Sequence, residues 1–305
     1  MKKVEHIKIN KEMKVDDLIL AMKKSGVMQA GKLALAVDII EEAIRDKECK
    51  VFFGLAGAMV PGGMKQIILD IIENKWIDVM VSTGANLTHD LGESLGYSHY
   101  QGHESMNDAK LKKLGYNRIY DSLMPNKIYL GLEKFINKNF NNLSKTTNIR
   151  EFLTKLGKLA PKNTIVNACY KNKIPLFCPA LADSGIGLMI WGQLAKGKKI
   201  NVNAFDDLKE ILDIAWTCKK AAVWYVNGGV PKNYIQQAMQ LTPKNAMYGV
   251  QITLDREEHG GSSGAKLKEG ISWDKMNEKA KFVDLNLDST VALPLITAAL
   301  KDRFK

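Results

Sequence analysis

Short apolar runs, each followed by a glycine-bearing turn and then by an apolar stripe at helical spacing, recur along this chain. VFFGLAGAMVPGGMKQIILDIIEN (51–74) is the first, and it predicts a strand over 49–53, a turn over 54–63 and a helix over 64–74. WIDVMVSTGANLTHDLGESLG (76–96), NKIPLFCPALADSGIGLMIWGQL (172–194) and AAVWYVNGGVPKNYIQQAM (221–239) repeat the pattern. YGVQITLDREEHGGSSGA (248–265) reads as a strand running into a glycine-serine loop. Buried strands alternating with helices predict an α/β fold, with a mainly parallel sheet covered by helices on both faces. Ligands in such folds bind at the carboxyl ends of the strands, where these loops fall.

The first 45 residues read as mostly helical, with ALAVDIIEEAI spaced for one apolar face. Residues 126–160, rich in Lys and Asn, read as a helical insertion, and 286–305 as a last strand or turn and a closing helix. There is no repeat and no low-complexity linker, so a single domain over 1–305 with an N-terminal helical segment (about 1–45) is expected.

Composition narrows the class. The chain has 305 residues, 46% hydrophobic and 25% charged, which suits a globular protein able to bury its own core. Its longest apolar runs, such as 33–37 and 291–300, are far short of a membrane span. MKKVEHIKIN has no apolar core of a secretory signal, so a cytoplasmic location is the default. Cys49, Cys169, Cys178 and Cys218 are scattered and form no C-x-x-C pair. Buried reduced thiols are expected, rather than a zinc site or a disulfide framework. The net charge of +11 comes from dispersed lysines, and no nucleic-acid-binding motif accompanies it.

No G-x-G-x-x-G is present, but GLAGAMVPGG has glycines at 54, 57, 62 and 63. A glycine turn between strand and helix lets backbone N–H groups approach a phosphate. One such turn is more often a tight corner; four at strand ends point more strongly to a nucleotide pocket. The densest chemical constellation is DREEHGGSSGAKLKEGISWDK (255–275). Burial beside Trp273 would favour the neutral amine of Lys275, the nucleophile needed for a Schiff base. Neighbouring carboxylates could bind a cationic amine or move its protons. The plainer alternative is a solvated loop with an ordinary surface lysine. His89, His99 and His103 form a second group that matches no zinc spacing, and Asp90 and Asp183 each lie just past a strand end.

SGAKLKEGISWDK resembles the active-site lysine motif of deoxyhypusine synthases, SGA-x-x-x-E-A-[VI]-S-W-G-K. VFFGLAGAMVPGGMK, VSTGANLTHDL, NKIPLFCPALADS, NGGVPKNYI and LDSTVALPLI follow in the family's order across most of the chain, in archaeal and bacterial forms. The resemblance implies a Rossmann-like NAD-binding fold and a homotetramer. It implies transfer of the aminobutyl group of spermidine, through a Schiff base on Lys275, to a lysine of the hypusine-containing initiation factor precursor. By the same resemblance Trp273 walls the site and Glu269 binds an amine. Gly57, Ser82, Thr83, Gly84, Asp183, Gly228, Gly229, Ser263 and Asp288 fall at cofactor positions. His89, Asp90, Tyr234, Glu257 and Ser262 fall at substrate positions; no metal is implied.

The match has departures. Acidic positions of the eukaryotic spermidine pocket hold His89, Leu188 and Ser262; Tyr234 stands where a histidine lies near the cofactor; Asp274 replaces the glycine before the lysine. Burying a trication with its amines unpaired is costly, which leaves Asp90, Glu257, Glu258 and Glu269 as the acids able to pair it. Two other readings follow: transfer to a free diamine such as putrescine, giving homospermidine, and a non-catalytic paralogue that binds NAD or a polyamine.

Overall fold

A computed structural model describes residues 1–305. The chain begins with α1 (Val15–Ser25), α2 (Met28–Arg45), β1 (Cys49–Leu55), α3 (Lys65–Glu73), β2 (Val79–Ser82) and α4 (Gly84–Ser94). Then come β3 (Tyr100–Gln101), α5 (Asp108–Leu114), β4 (Tyr116–Ile119), β5 (Ser122–Pro125), α6 (Lys127–Leu143), α7 (Ile149–Leu159) and α8 (Ile165–Asn172). The rest comprises β6 (Leu176–Phe177), α9 (Gly185–Leu194), α10 (Ala204–Thr217), β7 (Lys220–Val226), α11 (Gly229–Gln240), β8 (Ala246–Ile252), β9 (Met276–Leu285) and α12 (Ser289–Arg303). Two 3₁₀ segments, Glu257–His259 and Leu267–Trp273, lie between β8 and β9. This is a mixed α/β fold with a mostly parallel sheet flanked by helices.

The chain forms two compact units. One comprises Met1–Leu55, Trp76–Val81 and Lys209–Lys305, and the other Ala56–Lys75 and Ser82–Leu208. The first carries the strand order β2-β1-β7-β8-β9. Pairing is parallel from β1 to β7, β7 to β8 and β8 to β9. Strands buried on both faces must be apolar throughout, and KVFFGL and AAVWYV are: Phe53 lies opposite Trp224, their rings edge-on at 5.0 Å. Helix α2 packs its Ala- and Ile-rich stripe on β1, β8 and β9. Helix α11 comes close to β1 because Gly54 has no side chain; a Cβ there would meet Ile235 Cδ1 at 3.3 Å. Helix α12 closes the unit through Arg303, which binds Asp16 on α1 at 2.6 Å and Asp38 and Glu41 on α2 at 2.9 Å each.

The second unit is mainly helical and carries the small antiparallel sheet β3-β5-β4. The expected helical insertion is α6 and α7. The four cysteines are buried and free, as expected, and burial raises each thiol's pKa, those of Cys49 and Cys178 to about 12. No helix is long and apolar enough to cross a membrane.

Candidate active site

In the first unit, three strand ends carry the residues that the motifs single out. β7 ends at Val226 and runs through Asn227, Gly228 and Gly229 into α11. Asn227 and Gly229 both have positive φ, 60° and 62°. Gly228 lies so close to the loop after β8 that an added Cβ would sit 2.2 Å from the Ser263 Cα. The Gly229 N–H donates to Ser263 Oγ at 2.8 Å. β9 ends at Leu285, and Asp288 caps α12 by accepting from the Thr290 N–H at 2.6 Å. Ser289 Oγ donates to Asn227 Oδ1 at 3.1 Å, tying that cap to the β7 turn. Gly228, Gly229, Ser262, Ser263 and Asp288 are thus assembled on one edge of this unit.

The side chain that holds this edge together is one the sequence reading missed. Lys232, on α11, is 1% exposed. Its ammonium donates to the carbonyls of Ser262 at 2.5 Å and Ala265 at 2.6 Å, clasping the GGSSGA loop onto the helix. Gln251 Nε2 adds a bond to the Ala265 carbonyl at 3.1 Å. Burial pushes the Lys232 ammonium down to about 8, against the pull of the Asp284 and Glu269 carboxylates. In PKNYI the lysine looks like surface; only its i+4 neighbour Gln236, also buried, hints otherwise. A cleft of about 380 Å³ beside the clasp is lined by Gly229, Val230, Asn233, Tyr234, Gln237 and Ser262.

Lys275 follows the 3₁₀ segment Leu267–Trp273. That segment ends on Asp274 in the left-handed region, φ 55° and ψ 27°. This conformation explains why a glycine is expected before the lysine and why aspartate, which tolerates it, can replace it. The turn aims Lys275 Nζ over the Trp273 ring, 4.9 Å from its centroid. Trp273 is 53% exposed, so the chain by itself does not enclose the lysine. Glu269 is exposed on the same segment, and Glu257 is exposed on the loop after β8.

In the second unit, Thr83 caps α4, its hydroxyl accepting from the Asn86 N–H at 3.3 Å. Asn86, a further residue the sequence reading missed, is buried and staples the GLAGAMV loop to this cap. Its amide donates to the Gly57 carbonyl at 2.9 Å and accepts from the Val60 N–H at 3.3 Å. Gly57 is exposed with φ 73°. Gly84 lets the Asp183–Ser184 turn approach the helix start, since a Cβ there would be 2.6 Å from the Ser184 Cβ. Gly57, Ser82, Thr83, Gly84 and Asp183 therefore cluster, Asp183 exposed and Ser82 buried.

The polar face of α4 sorts the acid and histidine candidates. Asp90 is fully buried, paired with Lys65 Nζ at 3.0 Å and accepting from the Ile165 N–H at 2.7 Å. Burial pushes its carboxyl up to about 6, with Lys65 opposing. It holds α3, α4 and α8 together and presents no surface to a ligand. His89 and His99 meet, Nδ1 to Nε2 at 2.9 Å, and His99 Nδ1 meets Glu93 Oε1 at 2.7 Å. His103 stands apart, bonded to Ser105 at 2.7 Å. No group of three or more His, Cys, Asp or Glu residues is arranged to hold a metal ion.

Burial, and secondarily His99, push His89 down from 6.5 to about 4. Its folded pKa is depressed, so the stability it contributes is complete above pH 6.5 and is lost as the pH falls through 4. We expect His89 to account for a loss of about 3 kcal/mol over that window. Denaturant titration near pH 7 and near pH 4 should show the loss in the native chain and a flatter profile in His89→Gln; identical profiles would contradict it.

The chain is similar to known proteins over most of its length. A family model described as deoxyhypusine synthase matches residues 17–300. A Methanosarcina mazei protein named "Probable deoxyhypusine synthase 1" is 42% identical over 302 residues, covering 98% of this chain and 95% of the relative. "Probable deoxyhypusine synthase 2" of Archaeoglobus fulgidus is 40% identical over 281 residues, covering 89% and 93%. A solved structure from Entamoeba histolytica bearing the same family name superposes with a TM-score of 0.62 at 17% identity, over 95% of this chain and 93% of that one, a likeness of fold. Unliganded AgrE superposes at 0.56 with 12% identity, over 92% of this chain and 34% of that one. With a family model over most of its length and relatives at about 40% identity end to end, the chain belongs to the deoxyhypusine synthase family.

Proposed function

We propose that this protein is an NAD-dependent aminobutyl transferase that takes its group from spermidine, carries it on Lys275 and delivers it to a lysine of the hypusine-containing initiation factor precursor. The observation that carries the reading is the segment from Leu267 to Lys275, where a 3₁₀ turn and a left-handed residue set a lysine amine over a tryptophan face. Family membership supplies the activity class.

The residues fit a dinucleotide. α11 and α12 each begin just past the carboxyl end of a parallel strand, β7 and β9, where backbone N–H groups and the helix dipole favour phosphate. Gly57 is exposed at positive φ, and Gly228 admits no side chain. Asp288 Oδ1 is held by Thr290, leaving Oδ2 for a ribose hydroxyl. By the family resemblance, Gly57, Ser82, Thr83, Gly84, Asp183, Gly228, Gly229, Ser263 and Asp288 are the positions that would hold the cofactor. When bound, NAD would supply reversible hydride-transfer chemistry at the carbon beside the donor's secondary amine.

The chain's own groups do the rest. Lys275 attacks the carbon–nitrogen double bond of the oxidised donor, diaminopropane leaves with its nitrogen, and the butyl fragment stays as a Schiff base on Nζ. The acceptor amine then displaces Lys275 by the same exchange. Trp273 gives the fragment a flat apolar wall, and Glu269 and Glu257 pair the distal ammonium groups. Asp90, being buried, contributes by positioning α4, while Tyr234 and Ser262 line the cleft beside the clasp.

The exposed Trp273 is best explained by a second subunit that completes the site. Leu188, Trp191 and Leu194 also project from α9 into solvent, an apolar face suited to the homotetramer of the family. Leu188, at a position acidic in eukaryotic relatives, belongs to that face. Four buried free thiols suit a reducing cytoplasm. The acceptor is tested by following diaminopropane release with NAD and spermidine, offering the factor precursor, putrescine or neither. We expect sustained release with the precursor. Release sustained by putrescine alone would replace the protein acceptor by a free diamine, the homospermidine-forming reading.

A further inference from the structure

The peptides on either side of Lys275 fix the direction in which its side chain leaves the backbone, and both are held within the first unit. The Lys275 N–H donates to the Gly270 carbonyl at 2.8 Å, and the Lys275 carbonyl accepts from the Ala246 N–H at 3.2 Å. The Asp274 carbonyl, at the other end of the peptide that carries the Lys275 N–H, accepts from the side-chain amide of Asn245. Of these partners only Asn245 uses its side chain. It is itself set in place from the end of α11: the Asn245 N–H donates to Thr242 Oγ1 at 3.3 Å, and the buried Thr242 hydroxyl donates to the Met239 carbonyl at 2.9 Å. The start of the 3₁₀ segment is held separately, the N–H of buried Leu267 donating to Asp284 Oδ1 at 3.1 Å.

We propose that Asn245 is a positioning residue for Lys275, its amide keeping Asp274 in the left-handed conformation that aims the nucleophile. The proposal rests on the aminobutyl-transfer reading above. Asp274 has φ 55° and ψ 27°, where the Cβ of an L-residue crowds its own backbone. Its side chain is exposed, so packing does not hold it there. Relaxation to the right-handed or extended region would turn the peptide between Asp274 and Lys275, pull its carbonyl from Asn245 and its N–H from Gly270. Lys275 would then leave the backbone in another direction, and Nζ would lose its place 4.9 Å from the centre of the Trp273 ring. The aspartate that stands where the family motif has glycine thus comes with a partner that replaces the conformational freedom of glycine.

Such a residue acts on the rate of the chemical step, since a misplacement of about 1 Å can cost about 10²-fold. Asn245 and Asp274 border a cleft of about 380 Å³ with Ile271 and Met276, so substituting Asn245 empties no packed core. Asn245 has φ 53° itself, where alanine would be strained. The informative variants are therefore Asn245→Asp and Asn245→Gly. The first keeps the shape and tolerates the conformation but cannot donate; the second keeps the backbone and removes the side chain.

Single-turnover trapping of the Lys275 adduct with NAD, spermidine and borohydride should slow roughly tenfold in both variants, with NAD affinity and the half-saturating spermidine concentration within about twofold of native. In an Asp274→Gly background, where no such hold is needed, the same substitutions should cost less than about twofold. Native rates in both variants, a change confined to half-saturation, or an equal loss in the Asp274→Gly background overturns the proposal and leaves the Lys275 chemistry intact. The crystal structure of full-length Asn245→Asp should show Asp274 outside the left-handed region; Asp274 still at positive φ overturns the proposal whatever the activity. A native chain that traps no adduct sinks the aminobutyl reading instead, and the Asn245→Asp structure then still decides whether Asn245 holds Asp274.

Discussion

Lys275→Ala is expected to lower aminobutyl transfer by about 10³-fold or more while leaving the fold and NAD affinity unchanged. Lys275 is half-buried at the end of a turn, and its Nζ contacts a tryptophan ring rather than a buried partner, so its removal disturbs little packing. Lys275→Arg should fail equally. A guanidinium stays protonated and has no free amine to form a Schiff base. Measuring diaminopropane release beside NAD binding separates the outcomes: an alanine variant that still transfers would place the nucleophile elsewhere.

Lys232→Met should lower stability by about 3 kcal/mol and weaken NAD binding roughly tenfold, with kcat at saturating cofactor less affected. Methionine has similar volume, so the loss comes from the Ser262 and Ala265 carbonyls left buried without their donor, not from a cavity. The same loop carries Ser263, which accepts from Gly229, so loosening it disorders the glycine turn at the start of α11. Denaturant unfolding and NAD titration measure the two effects. A variant as stable and as tight as the native chain would show that the clasp is not what holds the loop.

The strand-turn-helix units at β1, β2, β6 and β7, and the strand β8 running into a loop, were legible because strands buried on both faces have to be continuously apolar. β1 proves two residues longer than expected, ending at Leu55, because Gly54 and Leu55 continue the pairing with β7 through Tyr225 and Val226. β9 escaped notice. MNEKAKFVDL is an edge strand with only Met276, Val283 and Leu285 buried, so it lacks the continuous apolar run that marks the central strands. The sheet β3-β5-β4 was missed for the same reason: its strands are two to four residues long and largely exposed.

The site divides along similar lines. The Lys275 motif and the strand-end glycines are local in sequence and could be read directly. Lys232, Asn86 and the pairing of His89 with His99 depend on which loop the fold folds back, and no periodicity encodes that. Asp90 illustrates the converse: at a strand end it looked like a ligand-facing acid, yet its neighbours on α3 and α8 enclose it.

The central claim is that Lys275 carries the aminobutyl group. Incubating the full chain with NAD and labelled spermidine, reducing with borohydride and mapping the adduct by mass spectrometry tests it most directly. A butylamine adduct on Lys275, absent from Lys275→Ala and drained by an acceptor, is the predicted result. A folded, NAD-binding chain that forms no adduct and releases no diaminopropane would contradict it.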